Sequence, residues 1–166
     1  MESVILTYYN QEQFYATFHL GVGILSLLFT VLVILFTKKS ILLGFAYPTT
    51  IISFLLIALG GYLYHLIPSV RSDLQLTYLG TPNTFYEIEI SRLTLITSKY
   101  VYYYTLEVGV IILGVLLLGI SYKYKGLVFG IGLSLLIYGM FLMSYDYGAQ
   151  QRALDYQKKI VDYSDA

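Results

Sequence analysis

Residues 102–120 read YYYTLEVGVIILGVLLLGI, and the way this stretch is read decides the fold. Past three tyrosines it is apolar except for Thr105 and Glu107. A run of this kind is matched to a hydrocarbon core about 30 Å thick, which takes about 20 residues to cross. In lipid its peptide groups find no water, so it must satisfy them internally as an α-helix. A carboxyl inside such a helix costs about 3 kcal/mol on insertion scales and normally faces a protein interior with a partner. The chain therefore has to supply other helices and a partner for Glu107.

Working outward, the quoted run sits in a span over 100–122, and three more spans of the same character occupy 14–37, 41–66 and 126–145. The 166 residues are 57% hydrophobic and 12% charged, with a mean hydropathy of +0.69, a composition that belongs in a bilayer. Every Lys and Arg lies outside the four spans, as does every Asp and Glu except Glu107. The fold class expected is all-α: one membrane domain over 1–166, a four-helix transmembrane bundle. MESVILTYYNQEQFY carries no basic n-region and no small-residue cleavage motif follows, so the first span reads as a retained signal anchor.

Several function classes fall away. With no cysteine there is no disulfide, thiolate metal site, iron–sulfur cluster or cysteine nucleophile. Zero net charge and no basic run beyond a Lys-Lys pair argue against nucleic acid. The LGVG and FGIG stretches lack the strand and the Lys-Ser/Thr of a phosphate loop, and no Gly-x-Ser-x-Gly or His-Glu-x-x-His signature occurs. This reading leans away from an enzyme.

Short connections at Lys38–Lys39 and at Lys123 to Lys125 make two tight antiparallel hairpins, which puts both termini and the 67–99 segment on the opposite side. The first span has no Lys or Arg before it and two directly after, which places the hairpin tips in the cytoplasm and the termini outside a plasma (inner) membrane. The whole-chain count runs the other way, six basic residues against four. Within 67–99, LQLTYL and FYEIEISRLTLI alternate around GTPN, the pattern of a β-hairpin cap. Residues 146–166 read as a C-terminal tail that continues helix 4, lies on the membrane surface or is solvated. Pro48 reads as a benign element of the start of helix 2. The 19 tyrosines, with no tryptophan, form mainly an interfacial belt.

An internal repeat gives Glu107 company. At an offset of 88, Tyr15, Thr17, Gly21, Val22, Ile24 and Leu25 recur as Tyr103, Thr105, Gly109, Val110, Ile112 and Leu113, and His19 falls on Glu107. At an offset of 81, Ser53, Leu55, Tyr64 and Arg71 recur as Ser134, Leu136, Tyr145 and Arg152, and His65 falls on Asp146. The two alignments describe a two-plus-two duplication of helical hairpins. They bring both histidines and two acids to one end of the bundle, above small or polar residues: Gly23, Ser26 and Thr30 under His19, Ala58 and Gly61 under His65, and Gly114 and Gly139 on the other pair.

Three arrangements suit His19, His65, Glu107 and Asp146, supported by Arg71, Arg152, Tyr64, Tyr145, Tyr15 and Tyr103. They can form a hydrogen-bonded cluster that fixes helix register. They can ligate zinc, iron or manganese. They can also relay protons, since a histidine beside a carboxylate titrates near neutrality. The inner halves of the spans are almost wholly apolar, so a pore would need an oligomer. The function expected first is a non-enzymatic subunit or interaction partner of a membrane complex, in contact with the lipid bilayer and with a protein partner or a second copy of itself. The alternative is a metal-binding or ion- and proton-translocating protein, or a metal-dependent membrane enzyme, built on the polar cluster.

Overall fold

A computed structural model describes residues 1–123 and 126–164. The chain forms four helices, α1 (Glu2–Phe36), α2 (Ser40–Gly80), α3 (Pro82–Ile120) and α4 (Leu127–Ser164). All four are long and apolar enough to cross a membrane. Each contains one of the expected spans and runs well past it. At 1.5 Å per residue, 35 to 41 residues reach roughly 50–60 Å, about twice the hydrocarbon thickness. The surplus lies at the end bearing the termini, termed the outer end for its distance from the hairpin tips, and a four-helix extension continues the bundle there.

That extension replaces the β-hairpin cap expected over 67–99. No strand occurs among the described residues, and 67–99 is helical on both sides of Thr81. The buried positions explain why. On α2, Ile67 and Leu74 are buried with Val70 and Tyr78 packed beside them, and on α3 Phe85, Glu89 and Leu93 are buried. Spacings of three and four put each set on one helical face. Gly80, Thr81 and Pro82 form the turn, with Pro82 in the first turn of α3, where a missing N–H costs nothing. The tail beyond 146 belongs to α4, helical through Ser164. Pro48 also departs from expectation, since it lies well inside α2 rather than at its start. The Thr49 and Thr50 hydroxyls beside it donate to the Phe45 and Ala46 carbonyls at 2.7 and 2.8 Å.

α1 packs along α2 and α3 along α4, and the two hairpins meet chiefly through α2 and α4. The backbones touch where Gly44 faces Leu127 and Gly130 faces Ile41 and Phe45, an approach that a Cβ would block. Farther along the crossing, the Thr49 and Ser134 hydroxyls pair at 2.9 Å, both fully buried beside Ser53. Within the hairpins, Gly23 lies against Ser53 and Ile57, Gly60 against Ala16 and Leu20, and Gly114 against Gly132 and Leu136. α1 and α4 approach only slightly, and long side chains such as Tyr8 with Tyr156 and Glu12 with Arg152 bridge them.

Candidate functional site

The polar side chains gather in three levels at the outer end of the bundle. The outermost is centred on Glu89, which has no accessible surface. Arg92, one turn on, grips it with two hydrogen bonds, Nε to Oε2 and Nη2 to Oε1, both 2.7 Å. Tyr9 of α1 donates to the same carboxylate at 3.1 Å, and the Arg92 guanidinium lies 5.6 Å from the Tyr9 ring centre. Tyr156 of α4 stacks on Tyr8 at 4.1 Å and stands edge-on to Tyr9. Burial, with the Glu89 carboxylate nearby, holds the Tyr9 and Tyr156 phenols well above the usual tyrosine range. Around them pack Ile5, Phe85, Leu93 and Ile160, each fully enclosed.

The middle level links α1, α2 and α4. Arg152 pairs with Glu12 at 3.0 Å and covers the Tyr15 ring at 3.7 Å. Arg71 donates to the Asn10 side chain at 2.7 Å. These cations hold neighbouring helices together, and Arg152 also reaches the expected cluster through Tyr15, whose ring meets the Tyr145 that packs on His19, whereas Arg71 bonds only Asn10.

The innermost level contains three of the four expected cluster residues. His19 is buried with its ring edge-on to Tyr145 at 3.8 Å, and its Nδ1 has no partner of hydrogen-bond geometry. Tyr145 also meets the Tyr15 ring at 5.8 Å. Glu107 is buried, and its carboxyl lies against that of Asp146 across the α3–α4 contact. Asp146 is the polar neighbour of Glu107 in the α3–α4 contact, although Glu107 Oε2 itself makes no hydrogen bond. His65 does not join them. It is exposed next to Tyr64, while Tyr103 is exposed against Tyr100. The reason is a rotation of one residue in the packed face of α2: Ser53, Leu56, Gly60 and Ile67 face the protein, whereas Ala58, Gly61 and His65 turn outward. Gly61 accordingly has nothing near it, and Gly60 is the glycine in contact.

Among the described residues no three His, Asp or Glu side chains form a group that could hold a metal ion. The acid–base groups form two separate pairings, Glu107 with Asp146 and His19 with Tyr145. The residues that sequence reasoning missed are Glu89, Arg92, Tyr9 and Glu12. Glu89 and Arg92 are one helical turn apart, but that signal is visible only once the segment is read as a helix. Set against protein-family models, curated proteins and solved structures, the chain finds no match.

Proposed function

We propose that this small integral membrane protein acts as a non-enzymatic subunit or docking partner of a membrane complex, using its outer four-helix extension. The observation carrying this reading is the set of large apolar side chains left open beyond the expected spans. Leu76 and Leu79 are each 67% exposed, and Ile88, Leu95 and Leu154 are exposed as well. Inside the bilayer such residues meet lipid, but on helices that leave it they meet water unless a partner covers them. The buried Glu89 level supports the same reading, because it gives the extension a fixed shape on which a partner can register. The repeat of hairpins remains part of this proposal, supported by the burial of both His19 and Glu107 and of both Ser53 and Ser134. The lysines at the hairpin tips favour a cytoplasmic location for those tips and an outer face for the extension.

Site-specific photocrosslinking at Leu76 and Leu95 in the native membrane, with adducts identified by mass spectrometry, tests the reading. A defined adduct that Leu76→Ser and Leu95→Ser variants lose while still inserting supports docking. Adducts to lipid alone overturn it.

A second reading rests on the contact between Glu107 and Asp146. Two carboxyls in contact share a proton or hold a cation between them, which is the chemistry of a proton or ion step. Proton flux into proteoliposomes that Glu107→Gln abolishes would favour it. Equal flux in both proteins would remove it.

A further inference from the structure

Where α1 and α4 stand apart at their outer ends, they leave a groove of about 740 Å³. One wall is Tyr8, Gln11 and Tyr15 of α1, and the other is Arg152, Asp155 and Lys159 of α4. Each trio is spaced three and then four residues apart, so each lies on one face of its helix. Tyr156, stacked on Tyr8, closes the back. At the inner end Phe14 is 66% exposed, at the first residue of the expected α1 span. The groove therefore opens at the hydrocarbon boundary and rises beside the headgroup layer.

Its charges are only partly used. Arg152 gives Nε to Glu12 and covers the Tyr15 ring, and its Nη2 lies buried beneath the wall without a partner, so its charge reaches the groove only in part. Asp155 and Lys159 make no ion pair among the described residues, although they line the same wall one turn apart. An anion is accommodated by Arg152 and Lys159 through charge-assisted hydrogen bonds. An ammonium is accommodated by the exposed Asp155 carboxylate. A ligand carrying only one sign of charge would leave one of these groups opposed.

We propose that this groove binds a zwitterionic aminoalkyl phosphate, the chemistry of a phosphatidylethanolamine headgroup, with the phosphate toward Arg152 and Lys159 and the primary amine toward Asp155. The site gives the protein a contact with lipid headgroups independent of the apolar positions assigned to docking. The same chemistry is present in soluble phosphoethanolamine, so the experiment separates the two sources.

Native mass spectrometry of the full chain, titrated with phosphatidylethanolamine, phosphatidylcholine, phosphatidylglycerol or soluble phosphoethanolamine, provides the test. Phosphatidylethanolamine is expected to bind in preference to the other two lipids. Lys159→Gln is expected to weaken it about tenfold, and Asp155→Asn to remove the preference over the methylated amine. Both side chains are exposed, so thermal melting of the variants should match the parent. Binding of the lipid alone assigns the site to the bilayer, and equal saturation by phosphoethanolamine assigns it to a soluble ligand of the same chemistry. Equal retention of all three lipids, or two variants that bind like the parent, overturns the proposal.

Discussion

Ile88 and Glu89 are neighbours in the chain, yet the apolar residue is half exposed and the acid has no accessible surface. The inversion holds because Arg92 and Tyr9 satisfy the carboxylate where Glu89 enters the packed face of α3. An ion pair in such a place contributes little net stability when intact, but removing one partner strands the other.

Arg92→Leu should therefore destabilise the outer extension by about 3–5 kcal/mol. The double variant Glu89→Leu, Arg92→Leu should recover most of that loss. Thermal melts followed by circular dichroism give the comparison. A single variant as stable as the parent would mean that Glu89 is not buried as an ion.

Glu89 also shows where the sequence stopped being legible. The four spans could be read because bilayer thickness and hydropathy act on each segment alone. The outer helices could not, since FYEIEIS alternates with period two and its acid occupies a buried helical position that only Tyr9 and Arg92, together, make tolerable. Glu107 could be read as needing a partner, and the repeat placed Asp146 near the right level. His65 was misplaced because the packed face of α2 is set by close contact of Gly60 with Ala16 and Leu20. A helix with several small residues leaves that rotation open until its neighbour is known.

Glycine contacts give a prediction with two signs. A Cβ on Gly130 would meet the Ile41 carbonyl and the Phe45 nitrogen, both backbone atoms that cannot turn aside. Gly130→Ala should cost about 1–3 kcal/mol by forcing α2 from α4, despite its better helix propensity. Gly61→Ala, with no neighbour to strike, should instead gain up to about 1 kcal/mol. Unfolding in mixed micelles measures both, and a loss at Gly61 would show that this face is packed.

Alkaline titration should reveal the buried phenols of the extension. Burial raises Tyr9 and Tyr156 above the ordinary value of 10.0, so near that pH the unfolded chain releases protons that the folded chain keeps. Stability is then fully present below pH 10.0 and falls as pH rises past it. Tyr156→Phe, which gives up no well-formed hydrogen bond, should make the fall shallower. Melting temperature against pH, with tyrosinate absorbance recorded in parallel, checks the sign.

His19 offers the sharpest separation of a structural role from a metal one. Its ring packs on Tyr145 as a core aromatic would, and no metal-holding group surrounds it among the described residues. His19→Phe keeps the ring and most of the volume, so it should cost less than about 1.5 kcal/mol. His19→Ala leaves a cavity and should cost about 3–5 kcal/mol, as for other buried aromatics. A metal ligand behaves otherwise: phenylalanine would be as damaging as alanine, and each would release the ion. Elemental analysis of the protein purified without a histidine tag should find no stoichiometric zinc, iron or manganese in the parent or in either variant. Near-stoichiometric metal that disappears in His19→Phe would overturn the structural assignment and bring His19 and the nearby carboxyls back together as ligands.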